Sequence, residues 1–366
     1  MMPQKGFRMP SFSSRASKYG YSNARAKAMR GLILKPSSLD EMIRVGNVEA
    51  MAELMQRTSY KSEISAASVS YRGSQLIEMA TSRNFSALAK KLVKITPESD
   101  KDAIRALLAR WDLLNIKTLI NARRLGKSFE EIRPYLFDVG GLDEDDFRAL
   151  LKADNNSLAK EIWKTRIGKK MRTTGGKIGM EIREASSKTG PDAAARMEGI
   201  IDTFLYMFMD KTLEQVGGKE IDAIRQTLRS EADAKNVMII ERLKKHNASA
   251  DKIRKCLIRG GTIPEQMIAK LIDAKDMSAT LSLLRHKFPR MEVKGEGISL
   301  PELEAALDRS IASQKAHAFA RSILSVGVVL GLLLLKEEEV NNLRKIAKGK
   351  EFRMSESDVR ATLVVV

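Results

Sequence analysis

The chain has 366 residues and a formal net charge of +18, with 43% hydrophobic and 30% charged residues. That length exceeds one ordinary hydrophobic core and allows two or three subdomains, while 5% aromatics and 9 prolines argue against a large sheet protein. The lone cysteine, Cys256, excludes an internal disulfide framework and fits a reducing compartment.

From the start, Lys5, Arg8, Arg15, Lys18, Arg25, Lys27, Arg30 and Lys35 precede the first acidic residue, Asp40. Such a stretch suits nucleic acid, anionic lipid or an acidic protein, and residues 1–17 are expected as a solvated basic extension. No long apolar run follows the first basic residues, so no secretory leader is expected. Residues 38–43 and 47–55 then read as a short helix pair.

Ile104, Leu108, Trp111, Leu119 and Ala122 recur at helical spacing and mark one buried stripe. Asn115 falls on that stripe, three residues after Asp112. Each buried polar group left unsatisfied costs about 1–3 kcal/mol, so the pair needs partners, and backbone groups at a neighbouring helix end are the expected ones. Gly126 suits the left-handed turn that ends this helix, and Ser128 with Glu131 forms an S-x-x-E capping box for the next. Gly140-Gly141 leads into helices at 146–153 and 156–164. Residues 160–188, rich in Lys and Arg with Gly175, Gly176 and Gly179, read as a long, loose connection.

The same series then returns. Asp233-x-x-Asn236-Val237 is followed by Asn247, Ser249-x-x-x-Ile253-Arg254-x-x-Leu257, Gly260-Gly261 and helices at 265–274 and 278–286. A third copy joins Glu339-x-x-Asn342-Leu343 to Ser355-x-x-x-Val359-Arg360-x-x-Leu363, and the Asn-to-Ser gap is 13 in all three. Upstream, Glu198-x-x-Ile201-Asp202 and Glu304-x-x-Leu307-Asp308 each end 34 residues before the asparagine. A repeat free of insertions means one supersecondary unit used three times. The third copy reaches Val366 before supplying a closing helix pair, so residues 38–57 are expected to complete it and bring the chain ends together. The expected organisation is a basic extension (1–17) and three helical units at 18–165, 166–290 and 291–366. Asp112, Asn115, Asp233, Asn236, Glu339 and Asn342 serve them as structural polar anchors.

The most lipid-like run, Ile323 to Leu335, has 13 residues. As a helix it spans roughly 20 Å against about 30 Å of bilayer interior, and is expected to be buried in protein.

No catalytic motif survives inspection. Gly126-Lys127-Ser128 imitates the end of a phosphate loop, but Asn121 stands where its first glycine belongs, and Gly175-Gly176-Lys177 is followed by Ile178 where a hydroxyl is needed. His246, His286 and His317 lie apart from one another and from Cys256, so no metal spacing exists. The acidic run Asp143 to Asp146 suits a helix start, and Met207 and Met209 suit core filling.

Three segments carry a resemblance. Tyr21-Ser22-Asn23-Ala24-Arg25, Trp111-Asp112-Leu113-Leu114-Asn115-Ile116-Lys117 and Lys336-Glu337-Glu338-Glu339-Val340-Asn341-Asn342-Leu343-Arg344 resemble the Y-x-N-A-R, D-x-x-N-I-K and K-E-x-E-V-x-N-L-R helices of one family. It is the AC39-like family of archaeal-type (A-type) and vacuolar-type (V-type) rotary ATPases, in which the protein is known as the C or d subunit, and the likeness spans residues 18–366. The resemblance implies an all-α, funnel-shaped protein of three similar domains with pseudo-threefold symmetry. It further implies a non-catalytic central-stalk protein joining shaft subunits of the D and F type to the membrane proteolipid ring. Such a protein sits peripherally at the cytoplasmic face during ATP-driven ion transport or ATP synthesis, without a cofactor or metal. The basic balance keeps one alternative open, a helical nucleic-acid-binding scaffold, although few aromatics interleave the charges.

Overall fold

The computed structural model describes residues 11–174, 176–187, 191–288, 291 and 298–364, and every regular element among them is a helix. Residues 1–10 of the expected extension, Gly175 and Val366 lie outside the described residues. Seven long helices carry the architecture. They are α1 (Ser11–Arg30), α2 (Gly73–Ile95), α3 (Lys101–Arg124), α4 (Pro191–Val216), α5 (Lys219–Lys245), α6 (Leu300–Arg321) and α7 (Gly327–Glu351). From α2 onward each packs on the next, and α7 packs back on α2, so six helices close a ring. The three asparagine-bearing helices are α3, α5 and α7, every second member of that ring.

Each of these three ends in the same way. The N–H of Lys127, Ala248 and Met354 bonds the carbonyl five residues back, on Ala122, Leu243 and Gly349, at 2.9, 3.0 and 2.8 Å. The residue in between is left-handed each time, with φ of 64° at Gly126, 54° at Asn247 and 54° at Arg353. The sequence marks only the first two, because arginine is not a turn signal. Ser128, Ser249 and Ser355 then cap short helices by accepting the N–H three residues on, and Ser128 with Glu131 forms the full reciprocal box.

Hydrophobic burial follows the same plan. Val237, Met238 and Ile240 of α5 pack with Ile253, with Leu271 and Leu284 of the following helices, with Phe288 just beyond them, and with Leu303, Leu307 and Ile311 of α6. Leu343 and Ile346 of α7 pack with Val359 and Leu363, with Leu39, Met42, Met51 and Met55, and with Leu76, Ile77 and Met79 of α2. The helices Pro36–Arg44 and Val48–Met55 thus pack beside α7, as Leu271 and Leu284 of the helices Glu265–Asp273 and Met277–Leu284 share a core with α5. The chain ends are also tied by Lys350 bonding the carbonyl of Ile43 at 2.9 Å and by an Arg360–Asp40 ion pair.

Two expectations are corrected. Residues 160–188 are not a loose connection: helices Arg166–Thr174 and Ile178–Ser186 bury Ile167, Met171, Ile178 and Ile182 in the largest core. Those four apolar residues set the structure while the surrounding lysines and arginines stay on the outer face. The apolar run 323–335 is not one helix either. Asn23 bonds the backbone N–H and carbonyl of Ser325, Leu324 is left-handed, and Ile323 is left exposed, so α7 begins only at Gly327. None of the described helices is long and apolar enough to cross a membrane.

A left-handed arginine carries about 1–2 kcal/mol of backbone strain, against about 0.5–1 kcal/mol of extra chain entropy for glycine. Arg353→Gly is therefore expected to stabilise the fold by about 0.5–1 kcal/mol, read as a raised urea midpoint in far-UV circular dichroism. A lowered midpoint would contradict the strain argument.

Candidate functional site

The six polar anchors lie in three separate places, one per repeat, and each place fastens a crossing segment of irregular backbone. The Asn115 side chain donates to the carbonyl of Phe137 at 2.8 Å and accepts its N–H at 3.0 Å. Asn236 does the same to Ile258 at 2.9 and 2.7 Å, and Asn342 to Val364 at 2.6 and 2.9 Å. The carboxylate three residues earlier takes the next amides. Asp112 accepts from Gly141 at 2.8 Å and Leu142 at 3.3 Å, and Asp233 from Thr262 at 2.9 Å and Ile263 at 3.0 Å. A Cβ on Gly140 or Gly261 would fall 2.0 or 2.1 Å from those carboxylates, which explains why glycine stands there. Gly140 therefore matches Gly261, and the two glycine pairs of the sequence are offset by one residue.

The third carboxylate, Glu339, reaches across the chain instead. It accepts the backbone N–H of Leu34, the Tyr60 hydroxyl at 2.6 Å and the Lys336 ammonium at 2.5 Å. Burial and the neighbouring Glu339 charge push the Tyr60 hydroxyl well above its usual pKa, so it stays a donor.

The opposite faces of the same helices, together with α4 and α6, line an open hollow of about 580 Å³. Counting from each asparagine, the residues five before, one before and two after all line it. They are Arg110, Leu114 and Lys117 from α3; Glu231, Lys235 and Met238 from α5; and Glu337, Asn341 and Arg344 from α7. At 100° per residue these three positions cluster within roughly 60° and lie about 135° from the asparagine, so one face anchors and the other opens. The hollow carries seven basic and seven acidic side chains, so its formal charge is balanced although the whole chain is at +18.

At one level the three equivalents touch. Arg110 donates to both oxygens of Glu337 at 2.7 Å and to Glu231 at 3.3 Å. Lys315 of α6 adds contacts to Glu338 at 2.7 Å and Glu231 at 3.5 Å, and the Tyr206 hydroxyl reaches Glu231 at 3.0 Å. Burial alone would raise the Glu231 pKa, but Arg110, Lys315 and Lys235 outweigh it and hold the carboxyl well below its usual range. Burial likewise pushes Lys315 down, and Glu231, Glu338 and Glu337 more than reverse that. Lys235 is accessible from the hollow yet walled by protein, and burial lowers its pKa.

Further out, each helix grips the next member of the ring. Asn121 bonds Glu198 at 2.9 Å, Arg242 bonds Glu304 at 2.7 Å, and Lys348 lies 3.7 Å from Glu78. Those three donors are equivalent by the repeat, six residues after each asparagine. Lys117 pairs with Asp202 at 2.7 Å, and Lys345 with Asp308 at 3.3 Å. Glu198, Asp202, Glu304 and Asp308, found by their spacing, thus join neighbouring parts of the ring. The hollow-lining trios were not singled out in the sequence, since their side chains differ from copy to copy. Among the described residues no group of His, Cys, Asp and Glu is placed to hold a metal ion.

Two outcomes follow from this geometry. Arg110→Ala takes the main counter-charge from the half-buried Glu231 and Glu337, and is expected to cost about 1.5–3 kcal/mol in urea denaturation. Burial raises the Asp112 carboxyl to about 6, against the opposing pull of the Gly141 and Leu142 amides and of Arg166. A carboxyl raised this way supports the fold fully below its unfolded pKa of 3.8, and that support is lost as pH rises through about 6. Asp112→Asn does not titrate, so its urea midpoint relative to the parent chain is expected to climb between pH 4 and pH 7. A constant difference would overturn the assignment.

The repeated anchors and the hollow can be set beside known proteins. The family described as ATP synthase (C/AC39) subunit matches residues 22–362. The C subunit of the A-type ATP synthase of Methanococcoides burtonii is 26% identical over 362 residues, covering 96% of both chains. The proteins of the same name from Methanosarcina mazei and Haloferax volcanii are each 27% identical, over 96% and 94% of this chain and 94% and 97% of theirs. With nearly its whole length matched, the chain belongs to the ATP synthase (C/AC39) subunit family.

Proposed function

We propose that this chain is the collar of a rotary ATPase. It joins the rotor's central shaft to the membrane proteolipid ring and does no chemistry itself. Three units, 18–165, 166–290 and 291–366 with 38–57 completing the last, would surround a pseudo-threefold axis passing through Arg110, Glu231 and Glu337. The observation that carries this reading is the hollow. Three equivalent helices present equivalent positions to it, and the Arg110 ion pairs close it at one level.

The mechanics follow from packing. Torque applied to a wall of the hollow passes into α3, α5 or α7 and then to the adjacent ring helix through side-chain grips such as Arg242–Glu304. A close-packed interior has low compressibility, so the load travels with little deformation. About 580 Å³ accommodates at least one turn of a helix roughly 10 Å across, which suits the tip of a helical shaft. The balanced charge of the lining offers no surplus of cations to a phosphate backbone, unlike a nucleic-acid channel. The family name and the A-type relatives support the same assembly. In this reading the chain sits peripherally at the cytoplasmic face of the membrane and contacts the ring without spanning the bilayer.

Affinity purification of the tagged chain from native membranes in mild detergent tests the proposal. Nucleotide-binding rotary subunits and the proteolipid are expected to co-purify in fixed ratio. Recovery of the chain with lipid vesicles that contain no proteolipid, and without shaft subunits, would overturn it.

A further inference from the structure

The hollow is lined by α3 to α7, and on its α3, α5 and α7 walls the positions that recur by the repeat are unlike in chemistry. Reading the lining positions from five before to two after the asparagine, the α3 wall is Arg110, Leu114, Lys117. The α5 wall is Glu231, Lys235, Met238, and the α7 wall is Glu337, Asn341, Arg344. The middle position alone is apolar, cationic and neutral polar in turn. Leu114 is an exposed large apolar residue beside the buried Trp111. On the α5 wall, 41% of the Lys235 side chain is accessible, its nearest carboxylate is Asp202 at 4.0 Å, and Arg242 above it is 54% accessible. Asn341 carries no charge.

A socket with true threefold symmetry would accept a partner equally well in three orientations related by a third of a turn. Resting on the collar reading above, we infer that this socket is keyed. The shaft end enters in one angular register only, with an apolar ridge against Leu114 and an acidic stripe against Lys235. Turning it by one wall would set that ridge on Lys235 and strip water from an ammonium whose nearest carboxylate, Asp202, stands at 4.0 Å. It would also set the acidic stripe on apolar Leu114 or on Asn341. Both mismatches penalise the wrong registers, which is how like backbones discriminate by repulsion as well as attraction. The floor is consistent with this: one arginine facing two glutamates cannot be rotated onto itself. A fixed register matters mechanically, since a shaft free to settle in any of three positions would slip between them under load.

The test places a photo-crosslinking amino acid at position 114, 235 or 341, one at a time, in the complex purified intact from membranes. Each position is expected to label its own segment of the shaft end, with no overlap among the three, and the segment labelled from 235 should be acidic. If all three label the same partner residues in similar yield, the register is averaged and the keying is wrong while the collar stands. If none labels a shaft subunit, the collar reading fails and the keying with it. A second measurement exchanges two walls through Leu114→Lys combined with Lys235→Leu, both facing the hollow and away from the cores. Shaft affinity is expected to fall roughly tenfold or more, with far-UV circular dichroism unchanged. Unchanged affinity in the folded double variant overturns the keying.

Discussion

Helices packed in a ring must still be joined by irregular backbone, and where that backbone is buried it has no ladder to satisfy it. Here the problem arises after each capped helix, where the buried Phe137, Ile258 and Val364 lie in such backbone. Their buried N–H and carbonyl groups would each cost about 1–3 kcal/mol if unpaired. One asparagine and one carboxylate, three residues apart on the same helix, supply the missing partners. Much of the rest depends on that arrangement. It fixes which helical face turns inward, requires glycine opposite the aspartates, and leaves the other face free to line a hollow.

The third use of the device shows how the ring closes. Glu339 is one methylene longer than aspartate, and it takes its partners from the N-terminal segment, at Leu34 and Tyr60. A bond between residues 34 and 339 is long-range in sequence yet occupies the position that Asp112 and Asp233 fill with local partners. The buried Lys336 beside Glu339 offsets the cost of holding that carboxylate away from water. The contact adds one polar tie to a seam also held by the core that residues 39–55 share with α7, by Lys350 on Ile43 and by the Arg360–Asp40 ion pair.

Much of this was legible in the sequence because the anchoring face keeps its side chains from copy to copy. An aspartate or glutamate three before the asparagine and the serine cap 13 residues after it recur in all three copies, and a Gly or Asn turn signal between them in the first two. The hollow was not legible, for the opposite reason. Its lining positions recur in place but change in kind, as with Leu114, Lys235 and Asn341, so no pattern search finds them. Their contacts also join residues 121 and 227 apart, at Arg110–Glu231 and Arg110–Glu337, which only the folded ring brings together. Residues 160–188 were misread because their many cations mask a short apolar periodicity at Ile167, Met171, Ile178 and Ile182.

The polar character of the hollow has a physical reason of its own. An apolar void of this size would gain by collapsing, because its walls would recover dispersion contacts and shed water. Walls of paired charges behave differently. Arg110, Glu231, Glu337, Lys315 and Glu338 satisfy one another across the gap at hydrogen-bonding distance, so moving the helices closer gains nothing and distorts the pairs. Replacing them with well-packed apolar residues would be neutral or favourable for folding in itself. It would also fill the space and make the three walls alike. The ionic lining therefore trades some stability for a cavity that stays open and distinguishes its sides, two properties that a packed core does not have.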